Sequence, residues 1–146
     1  MKLQYVKPKT LIINLVVLCL GLIVGFAHGQ SKKQPPNEHQ GVSVESLGEL
    51  KESSLKIQLG LDGYEMKMRE VTVEPGGAIK EHSHATRPGL VKTISGSWVE
   101  VRGDLEIEYP ATKKVALVEN ENVVHWLYND GSEPAVAIVC ALSKAK

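Results

Sequence analysis

Apolar and polar residues alternate along several short stretches in the second half of the chain. Such stretches begin at Leu55, Tyr64, Val71 and Leu105, and a nearly continuous apolar run extends over residues 135–142. Successive side chains of a strand point to opposite faces, so a period of two predicts half-buried strands. The uninterrupted run over residues 135–142 predicts a strand that is buried on both faces.

Turn-forming residues separate these stretches from one another. The turn candidates combine glycine with proline, serine, asparagine or aspartate: Asp62-Gly63, Pro75-Gly76-Gly77, Pro88-Gly89, Ser95-Gly96, Arg102-Gly103-Asp104 and Asn129-Asp130-Gly131. No stretch has the length and periodicity of a long helix. We therefore predict an all-β fold, a small sandwich or barrel of about eight short strands.

The N-terminal segment has the pattern of a secretory signal peptide. Three lysines precede an apolar run from Leu11 to Ala27, and Ala27-His28-Gly29 places small residues just before a cleavage site at Gln30. An uncleaved segment over residues 1–29 would instead form an N-terminal anchor, although the run is short for a bilayer span. In both cases we expect the remaining domain in a secreted or periplasmic compartment.

Residues 30–46 are polar and predict a solvated linker, which leaves residues 47–146 for the folded domain. The chain has 17 basic and 17 acidic residues, so it lacks the basic excess of a nucleic-acid-binding protein. Loss of residues 1–29 removes three lysines and leaves 14 basic and 17 acidic residues, a net charge of −3. Cys140 is then the single cysteine, so an internal disulfide is excluded and other sources of stability are needed.

Three of the five histidines lie in the expected domain, namely His82, His84 and His125. Residues i and i+2 of a strand share a face, so His82 and His84 project side by side if residues 80–86 are extended. Imidazole is the commonest neutral ligand for first-row metals, and His125 in a second apolar segment can supply a third ligand. A His-x-His pair alone is weakly specific, and the alternative is a chance pair on an exposed loop.

The sequence around the first two histidines resembles the first motif of the cupin family, in its type-2, quercetin-dioxygenase-like form. This motif reads Gly, five residues, His-x-His, three or four residues, Glu, six residues and Gly. Its matching positions are Gly76, His82, His84 and Gly96. The run over residues 125–129 resembles the end of the second cupin motif. The resemblance covers residues 55–142 and implies a double-stranded β-helix, a jelly-roll barrel with the three histidines in its mouth.

The sequence departs from the motif at its glutamate, because positions 88 and 89 are Pro88 and Gly89. The resemblance therefore implies a face of three histidines without the motif carboxylate. Neither remaining candidate is favoured as a fourth ligand: Glu81 should face away from a strand neighbour, and a turn separates Glu119 from His125. An incomplete ligand set also leaves open a barrel that has lost its metal.

The resemblance implies a divalent ion, Fe, Mn, Ni or Zn, and a dioxygenase-like enzyme acting on a small anionic or chelating substrate. Two alternatives stay open, a binding protein for sugars or carboxylates without turnover and a zinc-dependent isomerase or lyase. Substrate-binding candidates are Arg87, whose guanidinium suits a carboxylate, and Thr93 and Tyr64. We also expect a homodimer formed through sheet edges, and membrane contact only through an uncleaved N-terminal segment.

Overall fold

The computed structural model describes residues 33–145, so the expected signal peptide or anchor over residues 1–29 lies outside the described residues. Within this range the chain forms eight strands and one short helix. In chain order these elements are β1 (Gln40–Leu50), α1 (Glu52–Leu59), β2 (Tyr64–Ser83), β3 (Gly89–Ser95), β4 (Ser97–Arg102), β5 (Leu105–Pro110), β6 (Leu117–Glu119), β7 (Val124–Tyr128) and β8 (Ala135–Lys144). Residues 33–145 include no candidate membrane-spanning helix.

The strands form one antiparallel sheet in the order β5-β4-β7-β2-β8-β3-β6, with β1 added beside β2. This sheet curls into a nearly closed barrel, which confirms the all-β prediction. The alternating stretches that begin at Tyr64, Val71 and Leu105 lie in β2 and β5, and the predicted turns lie between elements, at the ends of strands or at a bend within β2.

Strand β2 belongs to both halves of the barrel. Its residues 64–73 pair with β8 on one side and mostly with β1 on the other, whereas residues 78–83 pair with β7. The change of partner occurs next to Gly76, which has a φ of 74° that favours glycine. A Cβ atom on Gly77 would lie 2.7 Å from the carbonyl oxygen of Gln40, so glycine also permits the close approach of β1.

The alternation that begins at Leu55 predicts a strand, and this prediction is wrong because residues 52–59 form α1. Only Leu55 is buried in this segment, whereas Ile57 is 84% exposed and Leu59 is 67% exposed. Three alternating residues are too few to distinguish one anchored helical turn from a strand. The helix ends at Gly60, whose φ of 71° gives the left-handed C-cap typical of glycine.

Strand β1 begins at Gln40, inside the segment 30–46 that the sequence predicts to be a linker. The structure therefore corrects the end of that linker. Gln40 lies opposite Ala78 of β2, and the regular pairing of β1 with β2 continues from Val42, which lies opposite Val73. Most side chains of β1 are exposed, so backbone hydrogen bonds rather than apolar burial hold this edge strand. A polar composition is for this reason compatible with the strand.

The barrel interior is filled by apolar side chains from several strands. The main core cluster consists of Val71, Val73, Val91, Trp98, Leu117, Leu127, Ala135 and Ala137. Trp98 donates its Nε1–H to the carbonyl oxygen of Ala135 at 2.9 Å, which fixes the largest core side chain. Only alternate residues of β8 are fully buried, so the prediction of a strand buried on both faces is wrong.

Candidate metal centre

The three histidines of the domain meet at one point inside the barrel. Nε2 of His125 lies 3.1 Å from Nε2 of His84 and 3.3 Å from Nε2 of His82. His82 pairs directly with His125 across β2 and β7, and the backbone N–H of His84 donates to the carbonyl oxygen of Val123. The pairing of these two strands thus brings together residues that are about forty positions apart in the chain.

The second ring nitrogen of two histidines faces a backbone carbonyl oxygen. Nδ1 of His82 lies 2.9 Å from the carbonyl oxygen of Lys80, and Nδ1 of His84 lies 2.8 Å from that of Arg87. A carbonyl oxygen can only accept a hydrogen bond, so each Nδ1 carries the hydrogen and donates it. The Nε2 atom of each neutral ring consequently presents a lone pair to the centre.

A buried carboxylate orients the third histidine in the same way. Nδ1 of His125 lies 2.5 Å from Oε1 of Glu100, and both side chains are 0% exposed. Arg102 donates its Nε–H to the same oxygen at 2.6 Å. Burial alone would raise the pKa of Glu100, but the hydrogen bonds from His125 and Arg102 outweigh it and hold this pKa below its usual value.

The spacing of the Nε2 atoms suits a shared metal ion. Two nitrogen ligands about 2.1 Å from one ion, at an angle of about 90–110°, lie about 3.0–3.4 Å apart, and the observed distances are 3.1 and 3.3 Å. Burial lowers the pKa of His82 and of His84 to about 4, so both rings are uncharged at neutral pH. Uncharged imidazoles with converging lone pairs repel one another unless a cation lies between them, and metal binding requires this neutral form.

Glu119, the last residue of β6, adds a carboxylate to the three histidines. The ligand atoms of His82, His84, Glu119 and His125 all lie within 4.8 Å of one another. Glu119 is only 5% exposed, and burial raises its pKa even though the nearby positive charge of Arg87 acts in the opposite direction. A divalent cation would supply the positive charge that this buried carboxylate lacks.

Glu119 lies where it can replace the motif glutamate that this sequence lacks. The sequence favoured no carboxylate as fourth ligand, whereas the structure pairs Glu119 of β6 directly with Gly89 of β3, one of the two positions where the motif expects its glutamate. A Cβ atom on Gly89 would collide with Oε2 of Glu119. The carboxylate therefore enters from the facing strand, through the space that glycine leaves open.

A cavity of about 220 Å³ opens onto the centre, with His82 and Glu119 in its wall. Of the three substrate-binding candidates, Arg87 lines this cavity. Thr93 is buried in β3 and Tyr64 begins β2, and neither lines the cavity.

Sequence reasoning passed over Glu100. A detectable signal was present, because Glu100 shares the inward face of β4 with Trp98 and lies between two valines. An acidic residue on the buried face of a strand needs a partner, and here the partner is a histidine of the centre.

No family model and no curated protein matches the chain. Solved structures do match. The chain is similar to the cupin_2 domain of an XRE family transcriptional regulator from Enterobacter cloacae, with 16% identity and a TM-score of 0.53 over 70% of this chain and 96% of that one. The chain has the cupin fold.

Two further cupins show the same likeness. The cupin domain of Schizosaccharomyces pombe Cnp3 matches with 11% identity and a TM-score of 0.55 over 73% of this chain and 64% of that one. A sugar phosphate isomerase of the cupin superfamily from Silicibacter pomeroyi matches with 18% identity and a TM-score of 0.51 over 73% and 66%. These likenesses confirm the cupin fold but do not single out the quercetin-dioxygenase-like subtype.

Removal of His84 should abolish metal binding. We expect the wild-type protein, after loading with Zn(II) and dialysis, to retain about one ion per chain by elemental analysis. His84→Ala should retain almost none while keeping the β-type circular dichroism spectrum. His39→Ala is the matched control, because His39 lines the cavity but lies outside the four-residue cluster. An unchanged ion content in His84→Ala would contradict the assignment.

A glutamate moved from position 119 on β6 to position 89 on β3 should still place its carboxylate at the metal centre. Glu119→Gly should weaken Zn(II) affinity at least about tenfold, measured by competition with a chromophoric chelator. The double variant Gly89→Glu/Glu119→Gly should regain part of this affinity, since the new glutamate occupies the vacated space. Glu121→Gln, at an exposed neighbouring position, should leave the affinity unchanged. A double variant that binds no better than Glu119→Gly would argue against Glu119 as a ligand.

Glu100→Gln should weaken metal binding although residue 100 is not itself a ligand. The substitution removes the negative charge that fixes the Nδ1–H tautomer of His125, and such changes cost about 10–100-fold in affinity. Glu106→Gln on exposed β5 is the control for loss of one negative charge. Equal Zn(II) affinities for both variants in the same chelator competition would show that Glu100 plays no part in positioning His125.

Proposed function

We propose that this cupin is a metal-dependent enzyme of the dioxygenase type that acts on a small substrate able to coordinate the metal. The observation that carries the proposal is the convergence of three imidazoles and one carboxylate, His82, His84, His125 and Glu119, at one end of a cavity. This ligand set suits Fe(II), Mn(II), Ni(II) and Zn(II) alike. When bound, such an ion polarises a coordinated substrate oxygen and, if it is redox-active, exchanges electrons with it.

The residues of this chain hold the site rigid and limit its contact with water. His84 and His125 are almost completely buried behind the centre, whereas His82 and Glu119 face the cavity, so a substrate reaches the ion from one side. Apolar side chains form most of the remaining cavity wall, among them Trp98. The apolar part of the wall favours oxygen chemistry because it limits the access of competing water to the reacting groups.

A non-redox isomerase or lyase is the second candidate, and two observations favour it. One of the similar solved structures is named a sugar phosphate isomerase. The cavity wall also includes His39, whose Nδ1 accepts a hydrogen bond from the backbone N–H of Lys80 at 3.3 Å. Histidine is the commonest general acid or base in enzymes, and an isomerase requires such a group beside its substrate.

Metal dependence of the reaction separates these functions. We expect the Fe(II)-loaded protein to consume oxygen with a diketone, phenolic or thiol substrate, above the background of His84→Ala measured with an oxygen electrode, and the Zn(II)-loaded protein to consume none. Anaerobic turnover of a sugar phosphate with Zn(II) would overturn the dioxygenase proposal in favour of the isomerase. Binding without turnover under both conditions would identify a binding protein.

A further inference from the structure

Two arginines line the cavity that leads to the centre, Arg69 on β2 and Arg87 in the turn after His84. On β2 the side chains of Val73 and Val71 are buried in the barrel core, so Arg69, two residues along the same face, also points inward. The carbonyl oxygen of Arg87 accepts the Nδ1–H of His84, which holds the Arg87 backbone beside the centre. Both arginines are thus anchored to the elements that build the site.

Neither guanidinium is in direct contact with a carboxylate of the described residues, although Glu119 lies close enough to feel the charge of Arg87, and Glu65 that of Arg69. Among residues 33–145 no carboxylate forms an ion pair or hydrogen bond with Arg69 or Arg87, and the nearby Glu65 is paired with Lys67. Lys80 is a third cation in the cavity wall, and Glu119 is the single carboxylate there. Partly buried cations without partners are costly to desolvate, and a bound anion compensates this cost.

The same two arginines also line a second hollow on the outer side, whose other charged residues are Lys67, Lys144, Glu49 and Glu65. They therefore stand at the mouth, between this outer hollow and the inner cavity that reaches Glu119. The guanidinium fork matches the geometry of carboxylate and phosphate groups. The inner cavity of about 220 Å³ is smaller than the usual range of about 300–1,000 Å³, so it suits a small ligand.

We propose that the substrate carries two separate functional ends: a chelating end for the metal centre, and a remote oxyanion, carboxylate or phosphate, that Arg69 and Arg87 bind at the mouth. The proposal rests on the proposed metal-dependent function, because the chelating end needs the ion. It adds a specificity-determining residue, Arg69, and restricts the substrate to small molecules with a second negative group.

Three probes that share one chelating group test this proposal. Lactate has a 2-hydroxy acid and a methyl group, malate has the same 2-hydroxy acid and a remote carboxylate, and 3-phosphoglycerate has it with a remote phosphate. Calorimetric titration of the Zn(II)-loaded protein should show malate or 3-phosphoglycerate binding at least about tenfold tighter than lactate. The tighter of the two identifies the remote group as a carboxylate or a phosphate.

The advantage of the second negative group should depend on the arginines. In Arg69→Gln and in Arg87→Gln, the preferred probe should lose about tenfold in affinity, whereas lactate should bind as it does to the wild type. Lys114→Gln removes one positive charge at an exposed position outside the cavity and should change neither affinity. Zinc content is measured for every variant and should stay at the wild-type value.

The zinc content and the probe affinities distinguish a failure of the proposed metal-dependent function from a failure of the proposed role of the arginines. A protein that retains no zinc would overturn the proposed function, and the inference with it. A protein that retains zinc and binds lactate, but binds malate and 3-phosphoglycerate no more tightly, would overturn the inference alone. A tenfold preference that survives both arginine substitutions would equally overturn the role of Arg69 and Arg87.

Discussion

The hydrogen bond between Nδ1–H of His125 and Oε1 of Glu100 is the constraint on which the site depends. Both side chains are completely buried, so separating them would leave the Nδ1–H of His125 without a partner and would remove one of the hydrogen bonds that Glu100 accepts. The bond requires one register between β4 and β7, in which Val99 lies opposite Tyr128 and Glu100 lies opposite Leu127. In this register Glu100 and His125 point to the same face of the sheet. A slip of β4 by one residue would turn Glu100 to the other face of the sheet, and a slip of β7 would move His125 away from the centre.

The same period of two builds the core and the site. On β4 the inward side chains are Trp98, which packs in the core, and then Glu100, which orients a ligand; on β7 they are His125 and then Leu127, which returns to the core. Each strand therefore changes between an apolar and a polar inward side chain within two residues. Because the core fixes these strands, the imidazole nitrogens are held in place before any ion binds, and little ordering is left for the metal to impose.

The period of two was sufficient to predict β2, β5 and β8, because it depends on neighbours within a few residues, whereas the set of three histidines also needed the resemblance to the cupin motifs. Other features depend on contacts that the order of residues does not contain. Strand β1 is held by backbone pairing with β2, which leaves little trace in composition. Arg69 differs from an exposed strand arginine only in that its face continues the row of Val71 and Val73. Helix α1 was missed because three alternating residues fit either structure.

Glu119 shows most clearly why a motif and a site differ. A metal centre requires a carboxylate at a place in space, and directly paired residues of neighbouring strands have Cβ atoms only about 4.5–5.5 Å apart. A glutamate side chain spans this distance, so either member of the pair between positions 89 and 119 can deliver its oxygen to the same place. With Glu119 in its present position, a side chain at position 89 would meet its Oε2 atom and force the carboxylate to move. The glycine at the motif position is therefore the complement of the glutamate on the facing strand, and an absent motif residue is not an absent ligand.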